Sequence, residues 1–202
     1  MTVAAILLAA GESSRMGTPK PLLDWGGQTL IEYQIAQLKQ PPVEDVVVVL
    51  GHRAEVIRPL AERAGARVII NEVYQGKGRA GSLRAGASAI PDGTRAVLVL
   101  NVDQPRPHSV IERLVRSHQQ AENLISVPLC EGKRGHPLVL DGWLLPDLRT
   151  VRERTQGMRA LLERYEESVA EVPFESNIVL LDINSPAEYK KAKESYFEQV
   201  TR

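Results

Sequence analysis

Val46-Val47-Val48-Val49-Leu50 is an unbroken apolar run. A strand with one face in water would alternate apolar and polar residues, so this run predicts a strand covered by helices on both faces, as in a parallel sheet. Val97-Leu98-Val99-Leu100 repeats the pattern. Working outward, Val3–Ala10, Asp45–Leu50, Arg67–Asn71, Ala96–Val102 and Leu124–Pro128 read as strands. Between them, Thr29–Lys39, Ala54–Ala64, Ser82–Ala89 and Ser109–Ala121 carry apolar residues at helical spacing. In the last of these, Val110, Ile111, Leu114 and Val115 share one face, and Glu112, Arg113 and Arg116 lie on the other. A β-α-β-α order implies right-handed crossovers and a single doubly wound, mostly parallel α/β domain over residues 1–202.

The second half is less regular. Pro137 and Gly142–Pro146 interrupt any simple βα unit, so residues 130–165 are expected to form an irregular insertion. Beyond it, Gly157–Tyr165 reads as a short helix and Val169–Phe174 and Ile178–Asp182 as strands. Ser185–Val200 reads as a closing helix, with Ser185 as N-cap and Pro186 at the first position.

Composition narrows the function classes. The 202 residues are 43% hydrophobic and 25% charged, an ordinary globular balance. Lys plus Arg number 25 and Asp plus Glu number 25, so the basic excess that a nucleic-acid binder carries is missing. The N-terminal Ala4–Ala10 run is apolar, but no basic residue precedes it and it ends in glycine and charge, so a buried strand is expected there. No stretch approaches the ~20 apolar residues of a membrane span. The single cysteine, Cys130, is read as a small buried hydrophobe, and a reducing cytoplasmic location is expected.

The chemistry concentrates in Leu8-Ala9-Ala10-Gly11-Glu12-Ser13-Ser14-Arg15-Met16-Gly17-Thr18-Pro19-Lys20-Pro21-Leu22-Leu23. This loop starts at the carboxyl end of the first strand, where open α/β sheets bind their ligands. Gly11 and Gly17 permit tight turns and a close backbone approach to phosphate. Ser13 and Ser14 add hydroxyl donors, Arg15 a planar fork and Lys20 a compact charge. The loop is neither a Walker A sequence nor the dinucleotide fingerprint of a Rossmann oxidoreductase.

This segment resembles the nucleotidyltransferase signature Leu-Ala-Ala-Gly-x-Ser-x-Arg-Met-Gly-x-x-Lys-x-Leu-Leu, and the chain is similar to molybdenum cofactor cytidylyltransferases and their MobA-like relatives. The resemblance implies a nucleotide-diphospho-sugar transferase fold, with residues 1–105 as the NTP-binding half and 106–202 as the acceptor-binding half. It implies that the loop from Leu8 to Lys20 wraps the triphosphate, with Arg15 and Lys20 as its cations. Leu-Ala-Ala-Gly, rather than Leu-Ala-Gly-Gly, resembles the cytidylyl branch more than the guanylyl one. In Asn101-Val102-Asp103-Gln104-Pro105 it assigns Asp103 to Mg²⁺, and one carboxylate plus substrate phosphates suits that ion. A second metal contact falls in Asp182-Ile183-Asn184-Ser185-Pro186. The family's aspartate position is Asn184 here, and Asp182 offers an alternative on the same strand face. Gln75–Gly86 corresponds to the nucleobase border, with Gly81 for close approach and Ser82 as hydrogen-bond donor and helix cap. Lys77, Arg79 and Arg84 are alternative contacts for an acceptor phosphate. Gly135-His136-Pro137 resembles the cytidylyl branch's element at the acceptor edge, which assigns His136 to acceptor binding.

The expected reaction transfers CMP from CTP to a phosphorylated small molecule, with molybdopterin as the implied acceptor and a transient molybdoenzyme contact after it. A guanylyl or sugar-1-phosphate nucleotidyltransferase remains open, as does a non-catalytic nucleotide- or cofactor-holding chaperone.

Overall fold

The computed structural model describes residues 2–13, 15–73, 78–121, 123–152 and 157–200. Its strands are β1 (Val3–Ala9), β2 (Asp45–Leu50), β3 (Arg67–Ile70), β4 (Ala96–Asn101), β5 (Ile125–Cys130), β6 (Lys133–Arg134), β7 (Leu138–Asp141) and β8 (Val169–Pro173). Its α-helices are α1 (Leu30–Leu38), α2 (Ala54–Arg63), α3 (Gly78–Ala89), α4 (His108–Gln120), α5 (Leu145–Leu148), α6 (Met158–Arg164) and α7 (Pro186–Val200). The strand order is β3-β2-β1-β4-β7-β5-β6, with β8 beside β5. Strands β1 to β4 are mutually parallel, and β7 runs against both β4 and β5. The expected mostly parallel α/β domain is what forms.

The apolar runs behave as their lack of alternation requires. Along β1, Val3, Ala5, Leu7 and Ala9 enter one core layer while Ala4 and Ile6 enter the other. Val46, Val48 and Leu50 of β2 face the first layer, Val47 and Val49 the second. Helices α1, α2, α4 and α7 cover the first face; α3, α5 and α6 cover the second. Thr29 starts α1 with a capping box, its hydroxyl accepting from the Glu32 N–H while the Glu32 carboxylate accepts from Thr29 N–H.

This order creates a switch point. From β1 the chain turns through α1 to β2 on one side, whereas β4, on the other side, is reached through α3 on the opposite face. The loops leaving β1 and β4 therefore diverge and leave a crevice between their carboxyl ends. Leu8 pairs with Asn101 in register, which sets the glycine loop beside Asn101–Arg106.

Three expectations need correction. Leu138–Asp141, inside the supposed irregular insertion, is a strand at the middle of the sheet. The strand expected at Ile178–Asp182 is a 3₁₀ turn at Asn177–Leu180 followed by irregular chain. Helix α3 begins at Gly78, so Ser82 lies within it and caps nothing.

Helix α3 lies close to the sheet because Gly86 has no side chain: a Cβ there would fall 2.6 Å from Ile6 Cγ2 and 3.0 Å from Val49 Cγ2. Gly86→Val is expected to lower stability by about 1–3 kcal/mol through overpacking. Urea unfolding with an unchanged m-value checks it.

Candidate active site

A cleft of about 310 Å³ occupies the crevice. Leu8, Ala9, Ala10, Gly11, Ser13, Arg15, Met16, Lys20 and Pro21 line it from β1 and the loop after β1, Asn101, Val102 and Asp103 from the end of β4, and Arg79, Ser82 and Asn184 from the rest of its rim.

The glycine loop is folded by its own polar groups. Ser13 adopts φ 53°, its carbonyl accepts from Met16 N–H (2.8 Å), and its hydroxyl accepts from Lys20 N–H (3.1 Å). Gly11 differs from glycines that a turn demands. Its φ is not positive, and a Cβ built on it meets nothing within 4 Å. The described residues place no steric demand for glycine at position 11, and an added carbon would take up space beside the cleft.

Lys20 crosses from the loop to the opposite wall. Its Nζ donates to Asp103 Oδ2 at 2.7 Å and to Asn184 Oδ1 at 3.1 Å. Both members of the ion pair are mostly buried, with side chains 13% and 9% exposed. The other carboxylate oxygen, Asp103 Oδ1, is buried and has no hydrogen-bond partner among the described residues. Buried acceptors are nearly always satisfied, so this oxygen is suited to an incoming cation. Among the described residues no group of three His, Cys, Asp or Glu side chains forms a ready-made metal cage. The donor set is one carboxylate oxygen and one amide oxygen. It fits a hard divalent ion that keeps water and takes substrate phosphates as further ligands.

Asp103 is held from several directions. Ile183 N–H donates to its carbonyl at 2.9 Å, and Val102 N–H donates to Leu8 O at 2.9 Å. Buried Gln34 donates through Nε2 to Gln104 O (2.8 Å) and accepts from Arg106 N–H (3.2 Å). Gln104 Oε1 accepts from the Asn101 amide at 2.9 Å. On the far wall, Asn71 Nδ2 donates to Ser82 Oγ at 3.0 Å, fixing that hydroxyl and leaving its hydrogen to point elsewhere.

Asp182 and Asn184 separate. Asn184 lines the cleft, whereas Asp182 is exposed and does not. The shared-face expectation fails with the strand it assumed. Gly81 sits in α3 behind Ser82, a Cβ on it lying 3.5 Å from Asn71 Nδ2, and it is absent from the lining. Ser14 and Lys77 lie outside the described residues. Arg84 turns away, donating to Val151 O at 3.0 Å, whereas Arg79 lines the cleft.

His136 also lies outside the lining. Burial, reinforced by the nearby Arg106 cation, pushes its pKa down to about 4 despite the opposing pull of Asp182. At neutral pH it is an uncharged imidazole. Gly135 before it has a packing reason, since a Cβ would sit 2.2 Å from Val179 O.

Arg106 gives no signal in the sequence beyond being a cation between two prolines. It is fully buried, and burial lowers its pKa to about 9, which still leaves it charged at neutral pH. Lys20, Asp103 and Arg15 were legible from motifs; the Gln34–Gln104–Arg106 scaffold was not.

Residues 5–169 match the model of the MobA-like NTP transferase domain. The nicotine blue oxidoreductase of Paenarthrobacter nicotinovorans is 31% identical over 170 residues, covering 80% of this chain and 82% of that protein. The 2-C-methyl-D-erythritol 4-phosphate cytidylyltransferase of Thermobifida fusca is 41% identical over 110 residues, 52% of this chain and 44% of that one. The solved nucleotidyl transferase from Methanothermobacter thermautotroptrophicus superposes with a TM-score of 0.81 at 23% identity, covering 98% of this chain and 99% of that chain. Fold and cleft together define a nucleotidyltransferase-type domain with its site at the sheet's switch point. The chain belongs to the MobA-like NTP transferase family, a family of nucleotidyltransferases. No helix among the described residues is long and apolar enough to cross a membrane.

Two buried imidazoles make stability pH-dependent. Burial lowers the pKa of His118, which shares a 2.9 Å hydrogen bond with Ser126 Oγ, as it does that of His136. Below the unfolded-chain value of about 6.5 the unfolded state takes up these protons first. Stability is therefore full above that pH and falls beneath it; the His136 share of the loss is complete below about 4. Thermal melts from pH 7.5 to 4.5 are expected to show the decline, and His136→Asn to make it shallower.

Proposed function

We propose that this chain is a Mg²⁺-dependent cytidylyltransferase that joins CMP from CTP to a phosphorylated small molecule, with molybdopterin as the favoured acceptor. The observation that carries the proposal is the Lys20–Asp103–Asn184 clasp, with its unpartnered Asp103 oxygen, directly opposite the Gly11–Lys20 loop. The Leu-Ala-Ala-Gly form of the loop supports CTP over GTP, and the 41% identity to a cytidylyltransferase points the same way.

In this reading the loop's backbone N–H groups and Arg15 receive the triphosphate in the cleft. Asp103, through its open oxygen, and Asn184, through its amide oxygen, would hold the cation. When bound, that ion neutralises charge across the phosphate oxygens. Lys20, which shares only the Asn184 oxygen with that ion and otherwise rests on Asp103 Oδ2, would turn its ammonium to the β- and γ-phosphates. Ser82 borders the nucleoside. The acceptor is a phosphate monoester with a second pKa of about 6, so its oxygen is already anionic at neutral pH. That oxygen attacks the α-phosphorus; the new O–P bond forms as the bond to the bridging oxygen breaks, and pyrophosphate leaves. No general base is needed. The barrier falls through positioning and charge compensation, which Arg15, Lys20 and Asp103 supply.

A second reading rests on the 31% identity to a protein named as an oxidoreductase. The same cleft would then hold a redox cofactor, for which reduced nicotinamide dinucleotides serve as probes although the loop lacks their fingerprint. One screen separates the two: pyrophosphate release with CTP, GTP, UTP or ATP in the presence of molybdopterin or sugar phosphates, and binding of NADH or NADPH in parallel. CTP-selective release supports the proposal. Tight dinucleotide binding with no release under any combination supports the second reading.

Lys20→Ala and Asp103→Ala are each expected to cut turnover by about ten-fold or more, with far-ultraviolet circular dichroism unchanged. Wild-type pyrophosphate release by folded Asp103→Ala would remove the metal assignment. Gly11→Ala is expected to keep the wild-type melting temperature, since a Cβ there meets no atom within 4 Å among the described residues beyond its chain neighbours. It is expected to weaken CTP binding by about ten-fold or more, read by calorimetry.

A further inference from the structure

Arg106 is a fully buried guanidinium with no ion pair among the described residues. Its donors go instead to four backbone carbonyls. Nε donates to His136 O (2.8 Å), Nη1 to Pro105 O (2.8 Å), and Nη2 to Val179 O (2.8 Å) and Leu181 O (3.0 Å). An apolar side chain of similar length would fill this space without a buried charge, commonly at no loss of stability. It could not hold three separate stretches of chain.

Those stretches are the ones that build the cation-binding wall. The 179–181 carbonyls fix the irregular segment that replaces the expected strand. Two residues later Ile183 N–H meets Asp103 O at 2.9 Å, and the next residue places the Asn184 amide on Lys20. From the other side, the Gly135–Pro137 turn is tied in by His136 N–H donating to Val179 O at 2.9 Å and by its own carbonyl on Arg106. Arg106 itself follows Asp103 by three residues, with its N–H on Gln34.

We infer that Arg106 is the positioning residue of the nucleotide site, the fork that sets Asn184 opposite Asp103 by holding the 179–184 segment against the loop after β4. It touches no substrate. This rests on the reading of Asp103 and Asn184 as the cation-binding pair.

The test compares wild type, Arg106→Met and Arg106→Lys, all well below their melting temperatures, with Val48→Ala as a destabilised core control whose side chain does not line the cleft. Backbone hydrogen exchange reads the segment without any ligand, and titration with Mn²⁺·CTP reads the site. In Arg106→Met the Ile183 and His136 amides are expected to exchange faster by about ten-fold or more while β1 and β2 amides keep their protection. Mn²⁺·CTP affinity is expected to fall by about 10–100-fold, as for other residues that orient metal ligands. Arg106→Lys should rescue neither, because an ammonium cannot span four carbonyls, and Val48→Ala should bind normally. Unchanged protection of Ile183 and His136 overturns the inference, as does lost protection with normal Mn²⁺·CTP affinity, or rescue by lysine. If wild type itself binds no Mn²⁺·CTP, the nucleotide reading fails, and the exchange rates still decide whether Arg106 holds the segment.

Discussion

The Lys20 ammonium joins residues 83 and 164 positions away in sequence, Asp103 and Asn184, across the crevice. Everything else in the site is arranged around that contact. An ion pair so little exposed gains more from Coulomb attraction than a surface pair, and losing one partner leaves the other poorly solvated. The loop's Ser13 turn aims Lys20 inward, and the β4 loop holds Asp103 through backbone bonds on both sides. The unpartnered Asp103 oxygen shows that the lysine satisfies only part of the acceptor capacity there. The clasp therefore leaves one buried carboxylate oxygen of Asp103 with acceptor capacity beyond the lysine.

The fold explains why these groups meet. Parallel strands β2, β1 and β4 deliver their carboxyl ends to one edge, and the change of winding direction between β1 and β4 parts the loops there. Helix α7 contributes from the far end of the chain. Tyr196 packs edge-on against Trp25 at 5.1 Å between ring centroids, and its hydroxyl lies 2.6 Å from that of Tyr33. With its body anchored on α1, the helix holds its N-terminal Asn184-Ser185-Pro186 at the cleft. Ser185 Oγ accepts from Glu188 N–H, and the Glu188 carboxylate accepts from Asn184 N–H.

Much of this was legible in the sequence because it is written in local patterns. Continuous apolar runs mark doubly covered strands, and β1, β2 and β4 fall where the runs do. The loop from Leu8 to Lys20 carries its chemistry in consecutive residues. What stayed hidden depends on partners distant in sequence. Strand β7 is four residues between a proline and a glycine, too short for periodicity, and becomes a strand because β4 and β5 flank it. Ile178–Asp182 has strand composition but turns, since Arg106 takes its carbonyls and Gly135 packs against Val179 O. Ser82 resembles a cap because N-cap positions favour serine, yet α3 starts four residues earlier and Asn71 claims its oxygen. Arg106 had no motif at all; its meaning is its burial.

The central claim is geometric, and a crystal structure of the protein with CTP and magnesium tests it directly. The account requires the triphosphate along Gly11–Lys20, the cation on Asp103 Oδ1 and Asn184 Oδ1, and the Lys20 ammonium moved onto phosphate oxygens. A triphosphate seated elsewhere, or a cation bound without Asp103 while the Lys20 clasp stays shut, would contradict it.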